Sequence, residues 1–427
     1  MPELIPGLSA VPLPQLWRVK QNFPGGKISD IPAAIQAEFS KPAVVQSLQA
    51  IKAKALKPVA ALGVGSRGIA NLPLIVKSSV EALRAAGWDV FIVPAMGSHG
   101  GATAEGQVEV LESLGITEKT VGAPIRSEMD ALVVGHVGKQ KEIPVYLDAL
   151  SLREADAIIP IGRVKPHTSF RGPYESGLCK MIAIGLAKHI GCARLHREGF
   201  ARFAELIPQA AQAILAAQKI PFGLAILENA REETAQLEAV PHDKILAREA
   251  ELLMQAKAMM PRLLLPEIDL LVIEKMGKDI SGTGMDPNIT GRSAAGPVEG
   301  FSGPKITRVV TLGLTEATHG NATGVGTADL VTQALVDAID RERTFANVLT
   351  SGNLGGGKIP VALPDEASAI KAGLLCVPGV SPENMKLVRI PNTLHLEEIA
   401  ISANLKTVVE KIPNCEVLGL FDGTWKK

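Results

Sequence analysis

Apolar residues come along this chain in short unbroken runs, separated by longer stretches in which they recur every three or four positions. Pro58–Gly65 (PVAALGVG), Trp88–Pro94 (WDVFIVP) and Ala155–Ile161 (ADAIIPI) are runs of the first kind. Runs so short and so apolar predict strands covered on both faces, as in a parallel sheet. Asn71–Ala86 places Leu74, Val76, Val80 and Leu83 at near-helical spacing and predicts an amphipathic helix. Thr103–Leu114, Met181–Ala187, Ala201–Gln218 and Asp243–Ala258 predict further helices, and Ala131–Val137, Ile143–Leu147 and Phe222–Leu227 further strands. This alternation defines an α/β protein with mostly parallel sheets. Pro261–Pro266 (PRLLLP) reads as a boundary, after which Asp269–Glu274 (DLLVIE) opens a second α/β set, continued by Ile306–Leu314 and Thr327–Ile339. Two domains are expected, 1–262 and 263–427. The Pro-rich, weakly periodic stretch up to about residue 45 reads as an extended arm on the first domain. Cys415–Phe421 reads as a strand that could return to either domain.

Composition narrows the classes. Lys plus Arg and Asp plus Glu number 44 each, so the formal charge is zero, and aromatics are 4% with two tyrosines. A neutral, aromatic-poor chain does not predict a nucleic-acid partner. The start lacks a basic segment followed by an apolar run, and no apolar stretch reaches the ~20 residues of a membrane span. A cytoplasmic protein without a membrane partner is expected. Cys179, Cys192, Cys376 and Cys415 are widely spread and form no C-x-x-C pair, so most read as small buried hydrophobes.

Candidate chemistry gathers just after the predicted strands, where α/β proteins place their sites. Ser66-Arg67-Gly68 follows the first, Gly97-Ser98-His99-Gly100-Gly101 the second, and Arg163-Val164-Lys165-Pro166-His167-Thr168 the third. Three strands thus end in a cation or imidazole beside small residues. The glycines around His99 allow a ligand close to the backbone, whose N–H groups could cradle a phosphate. Pro166 restricts the chain at His167. Lys180 opens the apolar run MIAIGLA, where a helix N-terminus disfavours a cation, so an anion or a covalent role is implied. His196 closes the Ala/Gly/Ile-rich helical stretch that follows, and imidazole is a common metal ligand.

The order Arg67, His99, Lys165-Pro166-His167, Lys180, His196 resembles the nickel-pincer lactate racemase family and its 2-hydroxyacid racemase and epimerase relatives. The resemblance is strongest from about residue 60 to 200. It implies two α/β domains with mostly parallel sheets and an active-site cleft between them. It also implies an isomerase whose cofactor is a pyridinium mononucleotide gripping nickel through two thio-acyl arms. By that resemblance Lys180 is the covalent anchor and His196 the protein ligand to nickel. His99 and His167 are the acid/base pair on the substrate hydroxyl. Arg67 binds the substrate carboxylate, and Gly97, Ser98, Gly100 and Gly101 lie against the cofactor. The implied partners are a small 2-hydroxy acid and the cofactor-synthesis proteins.

The sequence departs from the lactate enzymes in ways that point to another substrate. Val64 and Gly68 stand where their Asp-x-Thr-Arg-Pro pattern has an acid and a proline, and Ser176-Gly177-Leu178-Cys179-Lys180 replaces Gly-Gly-Arg-Lys. In the second domain Lys278, following a buried strand, is a further substrate-binding candidate, with Asp279 beside it. Asp286, Asn288, Arg292, His319 and His395 could add to a polar wall. The residues alone leave two other readings open. One is a lyase or hydrolase using a histidine-bound divalent ion; the other is a non-catalytic binder of a phosphorylated metabolite.

Overall fold

The computed structural model describes residues 6–66, 68–216 and 219–425. The chain packs as two units, one of Gly25–Met260 and one of Met1–Pro24 with Pro261–Lys427. Compared with the expected 1–262 and 263–427, the later cut falls within two residues, while the first 24 residues go to the other unit. The chain's first strand, β1 (Leu16–Gln21), belongs to that other unit.

The Gly25–Met260 unit is built on β2 (Val59–Val64) and β3 (Asp89–Pro94), an antiparallel ribbon of β4 (Ala131–Val137) and β5 (Ile143–Asp148), then β6 (Ala157–Arg163), β7 (Phe222–Glu228) and β8 (Thr234–Pro241). The sheet runs β3-β2-β6-β7-β8, parallel except for β8. Alternate side chains point to opposite faces of a strand, and both faces here are buried. Ala60, Leu62, Val64, Ile92, Ile159 and Ile161 enter one core, with Ile35, Leu48, Ile75 and Leu83 from the helices over it. Ala61, Phe91, Val93 and Ile158 enter the other, with Leu178, Ile182, Leu195, Phe203 and Leu252. That is why these strands read as continuous apolar runs.

The expected arm resolves differently. Ile31–Phe39 and Pro42–Lys52 are helices. Pro32 and Pro42 sit in their first turns, where a missing N–H costs nothing, and Asp30 caps the first by accepting from Ala33 N–H at 2.9 Å. The prolines start helices here rather than preventing them.

In the other unit the strands are β9 (Glu267–Met276), a short ribbon β10 (Arg292–Ser293) and β11 (Gly296–Pro297), β12 (Lys305–Leu314), β13 (Leu330–Thr332), β14 (Val361–Leu363), β15 (Leu387–Ile390), β16 (Glu398–Ser402) and β17 (Cys415–Leu420). The eight-stranded sheet runs β14-β13-β12-β9-β15-β16-β1-β17, parallel from β14 to β15 and antiparallel beyond. The strand expected at Cys415–Phe421 thus pairs with β1. Gln21, fully buried, fixes the arm there. Its amide donates to Leu396 O at 2.7 Å and accepts from Leu264 N–H at 2.9 Å. Among the described residues no helix is long and apolar enough to cross a membrane.

Candidate active site

In an open α/β sheet the chain leaves the middle strand toward one side and later returns to the other, and the loops at that reversal flank a crevice. In the first unit β3 lies on one side of β2 and β6 on the other. The crevice therefore falls between the C-terminal ends of β2 and β6, with the loop after β3 alongside. These are the three loops singled out in the sequence. Arg67 lies outside the described residues.

The loop after β3 is fixed from below. Gly97 N–H donates to Gly185 O at 3.1 Å, and buried Gln107 donates from its amide to Gly97 O at 2.9 Å and His99 O at 3.3 Å. Gly97 has φ +60°, a conformation that favours glycine, and a Cβ there would stand a tight 3.0 Å from Cys192 Sγ. Its N–H is spent on Gly185, so a phosphate cradle has to rest on Ser98, Gly100 and Gly101. His99 is exposed, and its Nδ1 lies 2.5 Å from Ser66 Oγ on the loop after β2.

The loop after β6 is fixed by a buried acid. Glu175 accepts His167 N–H at 2.7 Å and a bond from Lys257 Nζ at 2.7 Å. Arg171 donates to His167 O at 2.5 Å, and Ser169 N–H donates to His167 Nδ1 at 3.0 Å. Phe170 lies against the imidazole with centroids 4.4 Å apart.

Lys180 ends a single helical turn, Leu178–Lys180, that runs into a π-turn at Met181–Gly185; a regular helix had been expected there. Such widened turns gather at functional sites. The helix Lys188–His196 follows and ends on His196. His196 Nδ1 lies 2.7 Å from Cys192 O, one turn earlier. A carbonyl only accepts, so Nδ1 carries the hydrogen and the neutral ring has its lone pair at Nε2. Cys192 Sγ lies 3.5 Å from the same Nδ1 and 3.7 Å from Ser98 Oγ. Burial lowers the His196 pKa, but hydrogen bonding and charge at Cys192 outweigh it and leave it raised; the Lys180 charge acts against that rise. Burial raises the Cys192 thiol, and its bond to His196 more than offsets this, leaving it lowered. Phe200 faces His167 at 6.1 Å and His196 at 5.8 Å. One edge of the sheet thus gathers His99, Ser66 and Ser98 with Cys192, Lys180 and His196, and His167 joins through Phe200.

Sequence reasoning missed the groups beneath this edge. Lys188, fully buried with φ +54°, donates to Pro94 O at 2.9 Å and faces Asp148 Oδ1 at 3.6 Å. Burial lowers its pKa and Asp148 opposes that. Glu249 is buried at the start of the Lys180 turn. Its Oε2 accepts Cys179 N–H at 2.7 Å, and Oε1 has no hydrogen-bond partner among the described residues. Burial pushes this carboxyl up to about 7. Both had a signal: Lys188 interrupts an apolar run, and Glu249 is spaced four and three residues from Ile245 and Leu252 on the buried stripe. Most of the cysteines had been read as small buried hydrophobes; Cys179 and Cys192 are buried, though Cys192 also touches His196 and the His99 loop, while Cys376 is exposed and Cys415 only half-buried.

Lys278 is carried by the other unit, after β9. Its N–H donates to Thr318 Oγ1 at 3.1 Å and its Nζ bonds Asn347 Oδ1. Arg292 is tied to Asp329 at 2.6 Å and to Thr307 O at 2.9 Å. His395 Nδ1 pairs with Asn392 Nδ2 at 3.0 Å. Among the described residues no group of three or more His, Cys, Asp or Glu could hold a metal ion. A metal at His196 would need donors beyond such a group of described residues.

No protein-family model matches the chain, and no curated protein matches it. Solved structures do. A protein from Thermotoga maritima aligns over 88% of this chain and 99% of its own, with TM-score 0.52 and 13% identity. The lactate racemase apoprotein from Thermoanaerobacterium thermosaccharolyticum aligns over 88% of this chain and 94% of its own, with TM-score 0.51 and 12% identity. The likeness is one of fold: α/β, with mostly parallel sheets.

Proposed function

We propose that this protein is a racemase or epimerase of a 2-hydroxy acid other than lactate, and that it works with a nickel-pincer nucleotide joined to Lys180. The observation that carries the reading is His196. Its Nδ1–H is committed to Cys192 O, which presents Nε2 as a donor in the manner of metal-bound histidines. The Lys180 charge is felt at that ring. One imidazole is all a pincer asks of the protein, since soft sulfur and carbon donors with one nitrogen suit square-planar nickel. When bound, the group supplies a hydride acceptor for the substrate's C2. The chain's own residues do the rest. A 2-hydroxy acid has no acidic C–H, so the reaction needs groups at the hydroxyl oxygen; His99 and His167 are assigned there. Arg67 is assigned to the carboxylate because its fork binds both oxygens, and Lys278 as a second cation toward the substrate. The cofactor-synthesis proteins are the partners this reading requires.

Intact mass after co-expression with those proteins tests it. A covalent adduct lost in Lys180→Ala, and nickel lost with the fold kept in His196→Ala, are the expected results. An unmodified Lys180 in active protein overturns the anchor. A substrate deuterated at C2 should keep its label in ordinary water through many turnovers, and rapid washout would replace hydride transfer with proton abstraction.

A further inference from the structure

We infer that Glu249 is the positioning residue for Lys180: from another helix it holds the first backbone N–H groups of the Lys180 turn, and so fixes the place from which the lysine side chain starts. The inference rests on the proposed function for what Lys180 does, while its structural half stands on the packing around Glu249.

A helical turn leaves its first N–H groups without partners of its own. The turn Leu178–Lys180 has no side-chain cap, since the residue before it is Gly177. Glu249, on the helix Ile245–Met259, takes that part. Its Oε2 accepts Cys179 N–H at 2.7 Å, and the Leu178 N–H and the Cys179 thiol face the same carboxyl. A Cβ at Gly177 would stand 2.6 Å from Oε1, so the carboxyl fills the space that a capping side chain would need. Lys180 is one residue beyond Cys179. A shift of about 1 Å at the root of a reacting group is enough to cost about a hundredfold in rate.

The arrangement is held at a cost. Glu249 is buried, and Oε1 has no hydrogen-bond partner among the described residues. A buried polar atom left unpaired destabilises the fold. The cations on the same helix are spent elsewhere. Arg248 bonds Glu238 and Glu251, and Lys257, two turns on, bonds Glu175. The titratable groups that face Glu249 are the Cys179 thiol and the Tyr174 hydroxyl, both pushed up by burial. Glu249 itself is pushed up to about 7 by the same cause. Its ionisation therefore favours opening of the turn, and the turn is firmest at the acid side of neutrality.

Two measurements test this. In protein without cofactor, amide hydrogen exchange is read at Cys179. Glu249→Ala should lower protection there by about tenfold or more, and Glu249→Gln, which keeps an acceptor, should stay within about threefold of wild type. Once corrected for intrinsic exchange, wild-type protection should fall about tenfold between pH 6 and 8, as the opened carboxyl ionises at its ordinary value, and Glu249→Gln should show no such fall. Unchanged protection in Glu249→Ala overturns the inference. Should that variant fail to fold, a pH profile shared by wild type and Glu249→Gln overturns it. After co-expression with the cofactor-synthesis proteins, intact mass should show the Lys180 adduct in Glu249→Gln within about threefold of wild type, and about tenfold less or lower in Glu249→Ala. Equal loading of wild type and Glu249→Ala overturns the link to the anchor. If wild type carries no adduct, the proposed function fails, and the exchange measurement still decides whether Glu249 sets the turn.

Discussion

The two units carry their candidate residues on very different foundations. Beneath the His99, His167 and Lys180 loops lie Asp148, Glu175, Lys188 and Glu249, all essentially inaccessible. In the other unit the buried charged residues among those described are Arg18 and Asp269. Arg18 sits on β1, and Asp269 is near the start of β9, at the opposite end from Lys278. The loops there are tied by short polar links instead, such as Thr315 Oγ1 to Asp279 Oδ1 at 2.5 Å and Asp286 N–H to Thr393 Oγ1 at 2.9 Å. Buried charge is costly and tolerates little displacement. Its concentration under one sheet edge marks the place where side chains must be held in one geometry. Among the described residues the loops of the other unit carry no such buried charge.

Breaking a buried pair gives the largest effect. Lys188→Met leaves Asp148 buried without its cation, and unfolding should be easier by roughly 3–5 kcal/mol. Lys278→Met should cost about 1 kcal/mol or less. Denaturant titration of both variants checks this, and equal losses would erase the contrast.

Glu249 makes the contrast depend on pH. Burial disfavours its charge and pushes the carboxyl up to about 7 from the ordinary 4.5. The folded state therefore holds the proton more tightly. The associated stability is complete below pH 4.5 and is lost as pH rises through about 7, with roughly 3 kcal/mol at stake. Glu249→Gln keeps an acceptor for Cys179 N–H and cannot ionise. Its melting temperature should fall less than wild type's between pH 5 and 8; parallel curves would show that Glu249 does not ionise in this range.

Gly97→Ala places a methyl at positive φ and against Cys192, and should cost about 1–2 kcal/mol. If the proposed function holds, the nickel content of loaded protein should fall with it, since the loop and His196 share Cys192. Retained nickel with the stability lost would separate the loop from His196.

The smallest effect is expected at His395→Ala. Stability should change by about 0.5 kcal/mol or less, and any functional change should appear as altered preference among hydroxy acids. A collapse of turnover with every substrate would place His395 with the rigid edge instead.

Much of the first unit was legible in the sequence. Strands buried on both faces must be continuously apolar, so β2, β3 and β6 could be found to within two residues at each end, and with them the loops bearing His99 and His167. β8 and β15 were not read. TAQLEAVP mixes polar and apolar residues, and LVRI is too short for a period to show. The cut near residue 261 was legible from its prolines, but the destination of the first residues was not. Their strand pairs with partners some 380 residues away along the chain, and no local pattern records such a choice.

Periodicity and turn chemistry are local, and the sequence by itself determined what depends on them: the α/β class, the strand ends, and the order of imidazole and amino groups that meet at one edge. The tertiary structure decided what each group is bonded to. Ser169 N–H meets His167 Nδ1, Ser66 Oγ meets His99 Nδ1, and Cys192 O meets His196 Nδ1. Some of these partners lie close along the chain. Yet only the folded backbone brings donor and acceptor within 3 Å, and a hydrogen bond has no strength until they are there.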